Sequence, residues 1–132
     1  MAYRKVTSPE VPEPPGDIFS QCLVHGNTVH ISGQHAGAPG GGVLGDGSVE
    51  DQARHSFRRV IALVEAAGGT AADIAKLTIY LTRIEDRPAI GPIRREFFTD
   101  PMPCSTLVGI SALAAPDLLI EVDAIAILGA GA

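Results

Sequence analysis

Tryptophan is absent, aromatic residues make up only 5% of the 132 residues, and there are two cysteines. Base-stacking platforms for single-stranded nucleic acid are built from such rings. Ten lysines and arginines against fifteen aspartates and glutamates leave a formal charge of -5. A general footprint on a phosphate backbone is therefore not expected, although a local basic patch remains open. Cys22 and Cys104 do not form a C-x-x-C pair, which speaks against a structural zinc site and fits a reducing compartment. No apolar run reaches the roughly 18 residues of a membrane span. The opening MAYRKVTSPEVPEPPGD has no apolar run behind its charges, so no signal peptide is visible and a cytoplasmic protein is expected. The length suits one domain, residues 1–132, with a real core.

What is present is best read from its far end. Residues 104–127 run CSTLVGISAL, AAPD, LLIEVDAIAI: two apolar segments joined by a turn at Pro116 and Asp117. In the second segment Leu119, Glu121, Asp123, Ile125 and Ile127 share one face of a strand, and Ile120, Val122, Ala124 and Ala126 share the other. A strand this apolar on both faces is normally covered on both, and an unpartnered carboxylate within it costs several kcal/mol. Either Glu121 and Asp123 lie in a specialised environment, or the strand is an edge that meets water.

Upstream, Tyr3 to Val6 is a candidate first strand. Residues 9–17 contain four prolines and read as an irregular connection. Phe19 to Val24 and Thr28 to Ser32 form a hairpin across His25-Gly26-Asn27. Residues 36–47, AGAPGGGVLGDG, contain a formal G-x-G-x-x-G at Gly40, Gly42 and Gly45. No helix begins at the third glycine and no lysine follows, so a wide surface hairpin or lid is expected rather than a nucleotide loop.

Ser48 and Asp51 have capping-box spacing before a helix over Asp51 to Ala67, with Ala53, Phe57, Val60, Val64 and Ala67 as its apolar stripe. His55, Arg54, Arg58 and Arg59 are assigned to a solvated or interface face. Ile74 to Thr82 is a strand, with Ala75, Leu77, Ile79 and Leu81 on one face. A shorter helix packs through Ile90, Ile93 and Phe97, and Gly91-Pro92 places its regular start near Pro92 or loosens its first turn. The α+β order is strand, hairpin, helix, strand, helix, strand, strand. Two helices cover only one sheet face; the bare face predicts a closed homo-oligomer.

Glu121, Asp123, His25, His30 and His35 are the acid-base candidates. Ser32, Ser105, Thr106, Tyr80 and Cys104 are the polar or nucleophilic ones, although a buried strand cysteine is the preferred reading of Cys104. No metal-ligand spacing or nucleophile motif occurs, and no cofactor is called for.

The whole chain resembles the Rid family, also called YjgF or endoribonuclease L-PSP. The resemblance is carried by FSQ at Phe19–Gln21, HGNTVHISGQ at His25–Gln34 and EDQARHSFRRVIALVEAAGG at Glu50–Gly69. It continues through DIAKLTIYLT at Asp73–Thr82, REFF at Arg95–Phe98 and LLIEVDAIAI at Leu118–Ile127. It implies a chorismate-mutase-like fold, a homotrimer, small-molecule clefts between subunits, and hydrolysis of reactive enamines or imines to ammonia and a 2-keto acid. Residue by residue, it implies that Glu121 positions or activates water and that Ser32-Gly33 is retained. The family's carboxylate-binding arginine falls at Ser105, in Pro103-Cys104-Ser105-Thr106-Leu107, its tyrosine at Phe19, and its helix asparagine at Gly91. The expected substrate-binding set is therefore Phe19, Ser32, Gly33, Gly91, Ser105, Thr106 and Leu107, with Glu121 catalytic.

Serine cannot replace the charge of a guanidinium. The expectation is a divergent imine or enamine hydrolase acting on a ligand other than ordinary 2-imino acids, either neutral or anchored by another arginine. Arg83, Arg87, Arg94 and Arg95 are available for that role. A non-catalytic trimeric small-molecule-binding protein is the alternative; acidity and scarce aromatics argue against a ribonuclease.

Overall fold

The computed structural model describes residues 1–132. Six strands form one sheet: β1 (Arg4–Lys5), β2 (Cys22–His25), β3 (Thr28–Gln34), β4 (Ile74–Leu81), β5 (Cys104–Gly109) and β6 (Ile120–Ile127). Their spatial order is β1-β2-β3-β6-β4-β5. All pairs are antiparallel except β4 with β5. Thus β6 is not an edge: β3 pairs with one side of it and β4 with the other. Two helices, α1 (Val49–Ala66) and α2 (Arg87–Phe97), complete the fold. No helix is long and apolar enough to cross a membrane.

The core lies between sheet and helices. Ile120, Val122, Ala124 and Ala126 of β6 are buried, as are Leu77, Ile79 and Leu81 of β4 and Ala53, Phe57, Val60 and Val64 of α1. On the opposite face of β6, Ile125 and Ile127 are exposed and Glu121 and Asp123 half-buried. The alternation read from the sequence therefore divides the strand into a helix-side face and an open face.

Local chemistry explains the element ends. Ser48 takes an extended backbone and its hydroxyl accepts from the Asp51 amide at 3.1 Å, capping α1. Asp51 does not close the box; its carboxylate accepts from Asp46 instead. The β2–β3 hairpin turns through Gly26 and Asn27, with positive φ (61°) only at Gly26. Gln52, fully buried on α1, donates to the carbonyls of Gly47 and Asp117 and accepts from the Leu119 amide at 2.9 Å. It clips the helix start to the approach of β6.

Four expectations are corrected. The pairing shifts between Ile74 and Lys76, so Ile74 joins the buried face and Ala75 is exposed. α2 begins at Arg87 and runs through Pro92; the proline forgoes one helical hydrogen bond, and the buried Ile90 and Ile93 hold the helix against the core. β5 lies at the sheet edge, where Cys104 is exposed rather than buried and only Leu107 is half-covered. Arg59 is buried, and its guanidinium donates to the carbonyls of His35 and Gly37. That contact pins the glycine-rich loop, itself bridged between Gly37 and Val43, onto α1.

Candidate functional site

The site is built around an irregularity in β3. Ile31 pairs with Ala124 and Gln34 with Val122, so three steps on β3 face two on β6. The extra residue bulges the strand at Ser32-Gly33 and shifts burial from Val29 and Ile31 to Gln34. Bulges of this kind re-aim side chains. Here the buried Gln34 donates to Gln21 Oε1 at 2.8 Å and to the Ser32 carbonyl at 3.0 Å. The Ser32 hydroxyl donates to the Ser20 carbonyl at 2.6 Å. These bonds hold the bulge in shape.

Glu121 extends over the bulge. A Cβ on Gly33 would collide with its carboxylate, so the missing side chain makes room for it. The carboxylate makes no hydrogen bond within the chain, and burial, followed by the nearby charge of Asp123, pushes its pKa above the ordinary carboxylate value. Asp123 is occupied: its Oδ2 accepts from the Tyr80 hydroxyl at 2.9 Å, which pushes the Tyr80 phenol up. Of these two neighbouring carboxylates, one is engaged and one is free to serve chemistry.

The other expected residues divide among separate places. Phe19 is half-exposed and lines, with Gly33, a cleft of about 260 Å³ that also includes Pro12, Ile18, His35 and Arg59. Ser105 and Leu107 fall in register with Leu77 and Ile79, on the helix-side face of β5. They line a different cleft together with Ile84, Arg87 and Arg94. Thr106 is in register with Thr78, on the open face. Gly91 lies on the outside of α2, with no atom within 4 Å of where a side chain would project.

Within one chain, then, Glu121 and Gly33 meet, while Ser105 and Leu107 lie across the sheet from them. No group of three or more His, Cys, Asp or Glu side chains is placed to hold a metal. Sequence reasoning missed the Gln21–Gln34 support. A glycine inside strand β3 was the available signal for a bulge.

A six-stranded sheet with two helices on one face defines the fold class, α+β. The chain matches the model of the family described as Endoribonuclease L-PSP over residues 12–128. It belongs to that family, the Rid or YjgF proteins. A Dermatophagoides farinae protein named 2-iminobutanoate/2-iminopropanoate deaminase is 32% identical, over 95% of this chain and 96% of the relative. A human protein of the same name is 30% identical, over 87% and 85%. Among solved structures, a Pseudomonas aeruginosa protein of unknown function superimposes with a TM-score of 0.86 at 38% identity, covering 97% of this chain and 94% of that one. RidA from an Antarctic Psychrobacter gives 0.85 at 27%, covering 95% and 99%.

Proposed function

We propose that this protein hydrolyses a reactive imine or enamine, with Glu121 as the residue that handles water. The reading is carried by one observation: a half-buried carboxylate without a partner in its own chain, given space by Gly33 and holding its proton more tightly than usual. Such a group can accept a proton from water as the oxygen adds to the imine carbon. Passing that proton to nitrogen gives an amino alcohol; taking the hydroxyl proton next and delivering it to nitrogen forms the C=O bond as the carbon–nitrogen bond breaks. The products are ammonia and a carbonyl compound. The names of the mite and human relatives support this reaction class.

We also propose that the working form is a homotrimer, in which a second copy completes the cleft that one chain leaves divided. The exposed Val108, Ile125 and Ile127 of the open sheet face support an assembly. Two free thiols, one of them exposed, favour a reducing, cytoplasmic setting. The test is release of ammonia and keto acid from enzymatically generated imines, comparing wild type with Glu121→Gln. Equal rates in two folded proteins would remove Glu121 from the mechanism. A ligand that binds without turnover would leave a binding protein of the same fold.

A further inference from the structure

The cleft beside Ser105 has a charge pattern that the chain itself does not balance. Arg87, which opens α2, and Arg94, about two turns further along it, face Ser105 and Leu107 of β5 across a space of about 380 Å³, with Ile84 completing the wall. Two nearby cations are engaged: Arg83 pairs with Asp86 at 3.1 Å, and Arg54 with Glu96 at 2.9 Å. Neither Arg87 nor Arg94 has a carboxylate partner. The Nε of Arg94 is buried without any hydrogen-bond acceptor.

A buried donor left unsatisfied is costly, more so when it carries charge. Burial and, secondarily, the charge of Arg87 both disfavour the protonated form of Arg94. Two like charges lining one cleft repel each other until an anion sits between them. The planar fork of a guanidinium matches the two oxygens of a carboxylate. The remaining walls, Ile84 and Leu107, are aliphatic, and Ser105 offers a hydroxyl.

We propose that this cleft binds the carboxylate of a small monocarboxylic acid with a short aliphatic chain, and that Arg94 and Arg87 supply from the helix the charge that position 105 lacks on the strand. Of the two expected kinds of ligand, neutral or anchored by another arginine, the cleft suits the second. Binding itself does not depend on the hydrolase reading. Only the identification of the acid as a 2-imino acid rests on it.

Isothermal titration of the full-length protein with 2-oxobutanoate, a stable keto acid, tests the site without any turnover. Wild type binds; Arg94→Gln and Arg87→Gln each weaken binding about 10- to 100-fold, the scale of a charge-assisted hydrogen bond. Arg94→Lys restores part of the loss, and Arg95→Gln, outside the cleft, leaves affinity unchanged. The uncharged 2-oxobutanamide binds at least about tenfold more weakly than the acid. Circular dichroism establishes that each variant is folded, and the exposed Arg87 serves where an Arg94 variant is not. Wild-type affinity in a folded Arg87→Gln/Arg94→Lys double variant, equal binding of acid and amide, or binding of inorganic phosphate but not 2-oxobutanoate would overturn the assignment. Arginine-dependent binding of the keto acid without imine hydrolysis would uphold the anion site and reject the hydrolase reading.

Discussion

A carboxylate that keeps its proton longer when folded makes stability depend on pH in a defined direction. Glu121 is such a group: burial and Asp123 raise its pKa above the ordinary value near 4.5. Below that value Glu121 is protonated in both states and adds no penalty. As pH climbs through the window between the ordinary and raised values, the unfolded chain gives up the proton first and native stability declines. Asp73, lowered by the amides of Gly131 and Thr70, acts oppositely, adding stability that is lost as pH falls. Comparing wild type with Glu121→Gln at each pH isolates the glutamate. The variant is expected to gain relative stability from about pH 4.5 upward, measured by denaturant melts; a flat difference would contradict the raised pKa.

Imine hydrolysis in Glu121→Gln should fall roughly 10²- to 10⁴-fold, as for a lost general acid-base group. Gly33→Ala should separate position from charge. The added methyl meets the mobile end of Glu121, so the carboxylate is displaced while the sheet stays intact. A misplacement of about 1 Å costs on the order of 10²-fold in rate, with little change in melting temperature. Full activity in Gly33→Ala would mean that the observed carboxylate position is not the reactive one.

At the scale of the elements, legibility followed the regularity of the pattern. β6 and α1 were readable because Ile120, Val122, Ala124 and Ala126, and Phe57, Val60 and Val64, repeat at the period of their own element and meet one core. Reading failed where the chain breaks period. Ile74 and the Ser32-Gly33 bulge shift by one residue, and pairing partners far along the chain decide such shifts. The Arg87 and Arg94 cleft was hidden for a related reason. α2 and β5 are separated by a loop, and only their packing brings these side chains to Ser105.

Arg59 shows the same limit, since a buried arginine is recognisable only once His35 and Gly37 offer their carbonyls. Gln52 provides an energetic test at this scale. Gln52→Leu keeps the bulk but leaves the Leu119 amide and the carbonyls of Gly47 and Asp117 without their present partner. These groups are only part-buried, so water recovers some of the loss, and the free energy of unfolding in urea should fall by about 1–3 kcal/mol. A loss below about 0.5 kcal/mol would mean that water replaces the clip.

For the whole molecule, the two-helix count was sufficient to infer a bare sheet face, and Ile125 and Ile127 stand exposed there at 38% and 36%. On the proposed trimer, Ile125→Asp should therefore give a monomer at micromolar concentration in sedimentation velocity, because burying an unpaired carboxylate in an apolar contact costs several kcal/mol. A wild-type monomer would defeat the trimer proposal outright. Strand patterns carry no number of copies, because an apolar face shows that it suits a cover and not how many neighbours would supply it.

The central place of β6 also imposes a timetable. A ribosome delivers the strands in order, and the two that flank the middle, β3 and β4, emerge before the strand that joins them. Until residues 120–127 leave the exit tunnel, the β1–β3 and β4–β5 portions have no strand in common. Each then presents an open backbone edge of the kind that recruits other chains. Closing the sheet requires β6 to enter between them, a long-range step of the sort that slows folding. Synthesis stalled just short of Ile120 should leave a nascent chain that proteases cut readily, whereas a stall with residue 127 clear of the tunnel should leave one that resists.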